Sequence, residues 1–231
     1  MHVTRVKVCG VARLEDAVLA ADLGAWAIGM VFFPPSPRAC GLEAAEDITA
    51  ALRRRVELAG VFVNSSLEEV GRLCDRLGLT LVQLHGDEGP SFCAEVARRT
   101  GARVIKAAPI ADPGALQDLE RFHTDFHLLD GHVPGLRGGG GRVFDWGLLA
   151  RRRSKVPAIL SGGLTPANVA EALAAAHPYA VDVASGVESA PGVKDERELR
   201  AFFDAVRAAT DPPPAGAAFA ESEDPAPAAI R

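Results

Sequence analysis

The sequence predicts an α/β fold, a single-domain (β/α)8 TIM barrel closed by eight parallel strands. Apolar runs of four to eight residues alternate with longer amphipathic stretches along nearly the whole chain, with no block of strands alone and no obvious linker. The chain has 231 residues, 48% of them apolar, which suits one barrel of roughly 200 to 250 residues.

The first unit sets the pattern. A β-branched run at 3–9, containing Val6 and Val8, ends in Cys9, and Gly10 turns the chain into an amphipathic helix at 13–23. The second strand, 26–33, runs into the loop Pro34-Pro35-Ser36-Pro37-Arg38 before a helix at 43–54, and Trp26, Phe32 and Phe33 read as core. Strands at 57–63, 80–84 and 103–107 follow, with helices at 66–77, 89–100 and 114–122. The sixth strand, 126–130, opens into a glycine-rich loop at 131–142 with four consecutive glycines at 138–141, followed by a helix at 146–153. After strand 156–160 come Ser161-Gly162-Gly163 and then Thr165-Pro166, whose capping chemistry opens a helix at 166–176. Strand 179–184 leads into Ala184-Ser185-Gly186, and a helix at 195–208 completes the eighth unit. Residues 1–210 are therefore expected to form the barrel domain. Residues 211–231, rich in Pro and Ala without period, read as a disordered tail.

Composition excludes several classes of function. A formal charge of -5 built from mixed charges gives no basic stripe for nucleic acid. The longest apolar run, 25–33, is too short to span a bilayer, and no signal peptide is visible, so a cytoplasmic protein without a membrane partner is expected. Cys9, Cys40, Cys74 and Cys93 form no CxxC pair, which argues for reduced thiols and against a zinc site. Every apolar face can be assigned to the barrel, so monomer and homodimer both stay open.

Strand alternation sorts the chemistry. Residues two apart share a face, so Lys7 goes with Cys9, Gln83 with His85, Leu128 with Asp130, and Asp182 with Ala184. With Val6, Val8, Leu129, Val181 and Val183 facing the helices, these polar groups point into the barrel, and Cys9, His85 and Asp130 reach its carboxyl-end mouth. Lys7 and Asp182 lie below that mouth on neighbouring strands and are expected to form an ion pair under Cys9, where the ammonium would favour the thiolate. Each residue also has a plain structural reading. A lone strand-end cysteine is more often a small buried hydrophobe, Asp130 before Gly131 is also turn chemistry, and His85 is as readily a satisfied core or loop histidine. The glycine loops Gly162-Gly163 and Ser185-Gly186 follow strands 7 and 8, the usual phosphate site of such barrels, where backbone N–H groups can approach an anion closely.

With these residues in place, the chain resembles the phosphoribosylanthranilate isomerases, (β/α)8 enzymes of tryptophan biosynthesis. The resemblance runs in order through Lys7-Val8-Cys9-Gly10, Ser36-Pro37-Arg38, Gly60-Val61-Phe62-Val63-Asn64, Val82-Gln83-Leu84-His85-Gly86 and Leu129-Asp130 with Val133-Pro134-Gly135. It continues through Phe144-Asp145-Trp146, Ser161-Gly162-Gly163-Leu164, the stretch from Asp182 to Glu188, and Pro191-Gly192-Val193-Lys194-Asp195. It implies an Amadori rearrangement of N-(5-phosphoribosyl)anthranilate, with Cys9 as general base and Asp130 as general acid. It further implies Arg38 as the contact to the anthranilate carboxylate, Gln83 and His85 as pocket residues, and Gly162, Gly163, Ser185 and Gly186 as the phosphate site. No cofactor or metal is implied, since the protons move between side chains and substrate. The family usually carries GGTGK after strand 6, where this chain reads GGGGR at 138–142, which implies weaker closure of that loop and an altered KM. Ala184 also replaces a frequent serine near the phosphate site. The residues themselves leave two rivals open: another sugar-phosphate isomerase or epimerase barrel, and a non-catalytic barrel that binds a phosphorylated ligand.

Overall fold

A computed structural model describes residues 4–131 and 145–210. Eight parallel strands close into a barrel in chain order: β1 (Arg5–Cys9), β2 (Ala27–Val31), β3 (Glu57–Phe62), β4 (Leu81–Leu84), β5 (Arg103–Ile110), β6 (Phe126–Gly131), β7 (Ala158–Leu160) and β8 (Ala180–Val183). Helices α1 (Leu14–Asp22), α2 (Leu42–Leu52), α3 (Leu67–Leu77), α4 (Pro90–Thr100) and α5 (Pro113–Leu119) follow the first five strands in turn. Helix α6 (Val169–Ala176) follows β7, and α7 (Glu196–Thr210) ends the described chain.

The closing seam pairs β1 with β8 in the register Lys7 opposite Asp182, while β1 meets β2 with Cys9 opposite Gly29. Alternation then divides the core in two. Ala27, Ala59, Leu81, Ile105, Ala107, Phe126, Leu128, Ile159 and Ala180 fill the barrel interior, whereas Val6, Val8, Ile28, Leu129, Val181 and Val183 face the helices. Small residues on β2 and β3 leave room inside for the long side chain of Lys7, which is wholly buried. Trp26, Phe126 and Tyr179 close the amino end, with ring centroids 5.2 to 5.6 Å apart. The expected core role therefore changes for two aromatics: Trp26 is a half-buried plug, and Phe33 lines the mouth cavity, while Phe32 does pack on Phe62.

Local chemistry sets the helix ends. Ser66 caps α3 by accepting from the Glu69 N–H at 3.2 Å, and Gly78 ends it at φ +63. Asp112 caps α5 just before Pro113. Two expectations fail at this level. The helix expected at 146–153 is a 3-10 helix, Trp146–Arg151, capped by Asp145 through the Gly147 N–H, because a glycine in the first turn and a length of six residues leave too little to nucleate an α-helix. The helix expected from 166 starts at Val169, because Asn168 accepts from the Thr165 N–H at 2.8 Å and donates to the Gly163 carbonyl at 2.9 Å, which closes residues 165–168 as a turn. Strand β7 begins at Ala158 rather than 156, since Pro157 has no N–H to give the ladder. A further feature is a short antiparallel hairpin after β8, formed by β9 (Glu188–Ala190) and β10 (Val193–Lys194). The glycine-rich loop at 138–142 and the segment 211–231 lie outside the described residues, and among the described residues no helix is long and apolar enough to cross a membrane.

Candidate active site

Strand ends and the loops that follow them converge on one cavity at the carboxyl end of the barrel. Cys9, Arg38, Gln83, His85, Asp130, Gly162, Gly163, Ser185 and Gly186 all line it, together with Asp182, Ser161 and Phe33. Every residue expected to touch substrate thus reaches one place.

Beneath Cys9 the Lys7 ammonium lies 2.7 Å from Asp182 Oδ1, and the Ser161 hydroxyl is 3.3 Å from Asp182 Oδ2. Burial by itself would depress Lys7, but Asp182 and then Cys9 outweigh it and push its pKa up to about 12. For Cys9 the balance falls the other way. Burial pushes the thiol above its ordinary value, Lys7 and Lys194 draw it down without cancelling that effect, and Asp182 adds to the rise. The expectation that the nearby ammonium secures a thiolate is therefore corrected by desolvation. Gly29 makes the pocket for this pair, since a methyl group there would lie 2.9 Å from Cys9 Sγ and 3.1 Å from Lys7 Nζ.

Across the mouth, Asp130 Oδ2 lies 3.3 Å from His85 Nε2, and His85 Nδ1 lies 3.0 Å from Gln83 Nε2. Gly162, at φ +88, packs against Asp130 and Gly131 so closely that any side chain would overlap the Gly131 nitrogen. Gly163 also has positive φ, at +65, and Gly186 sits against the Leu164 carbonyl with no room for a side chain. These glycines bring bare backbone to the cavity wall, the arrangement that anions use.

Arg38 reaches the cavity from the loop after β2, and its guanidinium is held by Glu188: Nε lies 3.0 Å from both carboxylate oxygens and Nη2 lies 2.8 Å from Oε2. Glu188 also accepts from Lys194 Nζ at 2.8 Å. Burial would raise the Glu188 carboxyl, but Arg38 and Lys194 hold it below its ordinary value. Sequence reasoning names neither Glu188 nor Lys194 as a site residue. The available signal was Pro191-Gly192, a turn dipeptide between two short strand-like stretches.

A second buried pair stands behind the His85 loop. Lys106 donates to Glu88 at 2.8 Å and to the Gly86 carbonyl at 2.7 Å, while Glu88 accepts the N–H groups of Asn64 and Gly86. It joins the loops after β3 and β4 and so fixes the chain that follows His85. Among the described residues no group of three or more His, Cys, Asp or Glu could hold a metal ion.

The model of the N-(5'phosphoribosyl)anthranilate (PRA) isomerase family matches residues 6–205. The N-(5'-phosphoribosyl)anthranilate isomerase of Geobacter metallireducens is 46% identical over 199 residues, covering 86% of this chain and 96% of the relative. Among solved structures, the phosphoribosyl anthranilate isomerase of Thermus thermophilus superposes with a TM-score of 0.81 at 41% identity, covering 89% of this chain and 99% of that one. A phosphoribosyl anthranilate isomerase in complex with reduced 1-(o-carboxyphenylamino)-1-deoxyribulose 5-phosphate superposes with a TM-score of 0.78 at 36% identity, covering 88% of this chain and 98% of that one.

Proposed function

The chain belongs to the phosphoribosylanthranilate isomerase family, and on that premise we propose that Cys9 and Asp130 are the base and the acid of its reaction. The enzyme isomerises N-(5'-phosphoribosyl)anthranilate to 1-(2-carboxyphenylamino)-1-deoxyribulose 5-phosphate, a step of tryptophan biosynthesis. Convergence of Cys9, Asp130 and Arg38 on one cavity carries the assignment of roles.

Asp130 gives its proton to the furanose ring oxygen, the bond from that oxygen to C1 breaks, and the anilino nitrogen lone pair forms the Schiff base. Cys9 then takes the proton on C2, and the electron pair moves into C1=C2 while nitrogen recovers its lone pair. The resulting enolamine gains a proton at C1 and loses the one on its C2 hydroxyl, which leaves the ketone. Protons gained and lost balance, so substrate and product are isomers.

The Gln83–His85–Asp130 row suits an acid that must hold and release a proton. With Gln83 Nε2 donating to Nδ1, His85 carries its proton on Nε2, which faces Asp130 Oδ2 at 3.3 Å. With the amide turned over, Nδ1–H donates to Gln83 Oε1, and Nε2 accepts from a neutral Asp130.

The exposed backbone of Gly162, Gly163, Ser185 and Gly186 is assigned to the phosphate, and the Arg38 fork to the anthranilate carboxylate. We assign the catalytic domain to residues 1–210. A cytoplasmic location suits a substrate that carries both a phosphate and a carboxylate and does not cross a bilayer unaided. The test is loss of the substrate's anthranilate fluorescence on mixing with the purified full-length protein. Catalytic decay over many turnovers is expected; binding without decay would instead mark a ligand-binding barrel.

A further inference from the structure

We propose that the β9–β10 hairpin is a positioning device for this reaction. Glu188 aims Arg38 at the substrate carboxylate, and Lys194 ties that arm to the strand end that carries Cys9. The proposal rests on the assignment of Arg38 to the anthranilate carboxylate.

Arg38 is held from three sides. Glu188 takes the edge of the guanidinium formed by Nε and Nη2, and among the described residues Nη1 has no hydrogen-bond partner. The other edge of the fork, between Nη1 and Nη2, is therefore what Arg38 can offer a carboxylate in the cavity it lines. Its stem crosses Gly10, where a methyl group would lie 2.7 Å from Arg38 Cδ, and its backbone N–H donates to Ser36 Oγ at 3.2 Å.

Lys194 is wholly buried, and its ammonium has three partners: Glu188 Oε1 at 2.8 Å, the Cys9 carbonyl at 2.7 Å and the Ala184 carbonyl at 3.1 Å. One residue thus joins the carboxyl ends of β1 and β8 to Glu188. Its backbone N–H donates to Asp16 Oδ2 on α1 at 3.1 Å, and Asp16 is itself paired with Arg13 at 2.7 Å. Gly192, at φ +80, turns the hairpin, and the Asp195 N–H returns to the Val187 carbonyl at 2.9 Å.

Charge count supports a task beyond holding the hairpin down, which apolar packing would do without desolvating three ions. Two cations share one carboxylate, and only Arg38, 16% exposed against 4% for Glu188, brings the surplus positive charge to the cavity. That charge at a fixed angle suits a planar anion.

The test is a double-mutant cycle with phosphoribosylanthranilate as substrate, using Glu188→Gln, Arg38→Met and both together. Glu188→Gln is expected to raise KM about tenfold with kcat within about twofold of wild type, because a charge-assisted contact that orients the substrate-binding fork is lost. The double variant should bind no worse than Arg38→Met alone, since Glu188 acts through Arg38. Lys194→Met, which also releases the Cys9 carbonyl, should lower kcat as well. Unchanged KM in Glu188→Gln, or effects that simply add, would overturn the proposal while leaving the role of Arg38 standing. Unchanged KM in Arg38→Met would overturn that role and the proposal with it. Should Glu188→Gln fail to fold, Glu188→Asp enters the same cycle with the same expected rise in KM.

Discussion

Cys9 is asked to act as a base from a site that opposes its ionisation. Burial pushes the thiol up, and the ammonium groups of Lys7 and Lys194 recover only part of that cost against Asp182. Thiolate is therefore the minor form near neutral pH, and its fraction grows as pH rises. The rising limb of thiolate absorbance, taken as wild type minus Cys9→Ala, should climb through and beyond the ordinary thiol range near 8.5. Lys7 does not blur this limb. Its folded pKa is raised from 10.5 to about 12, so the stability it contributes is complete below 10.5 and is lost only as pH rises through about 12. An ultraviolet difference titration across that range provides the check, and a sulfur already fully ionised at about pH 7 contradicts the balance drawn for Cys9. The position of Cys9 was legible in the sequence, because a strand end and a two-residue period suffice to locate it. Its protonation was not, because desolvation depends on everything packed around the sulfur.

Between elements, the Lys7–Asp182 pair spans the seam where the last strand meets the first. It was legible for a geometric reason: both residues lie just below the strand ends on the inward face, and a closed barrel makes those strands neighbours. Asp182→Ala would leave the Lys7 ammonium buried without a counter-ion, at a cost of about 3–5 kcal/mol. The expected result is a melting temperature lower by about 10 °C together with reduced turnover. Thermal unfolding and kinetics on the same sample check it, and no change in either would remove the seam from the account. Other pairings were hidden. Glu88 and Glu188 are charged residues in or beside loops, where solvation is the usual state, and their partners are Lys106 on β5 and Lys194 on β10. Only the fold brings each pair together out of water. The late start of α6 was hidden for a related reason, since Asn168 closes a turn that competes with the capping expected of Thr165 and Pro166.

At the scale of the molecule, the barrel brings residues as far apart in sequence as Cys9 and Gly186 into one cavity. The order of strands was legible because apolar runs and amphipathic stretches alternate at two different periods. The β9–β10 hairpin was not, because a two-residue strand has too few positions to show a period. The proposed base and acid also stand on strands that are not neighbours, β1 and β6, so removing either leaves the other and the phosphate and carboxylate contacts in place. The most direct measurement is therefore kcat for phosphoribosylanthranilate in Cys9→Ala and in Asp130→Asn, with affinity for the reduced product analogue measured on the same samples. Loss of kcat by about a thousandfold or more in each variant, with analogue affinity kept within a few-fold, is the predicted result. Turnover near the wild-type rate in either variant would contradict its assigned role.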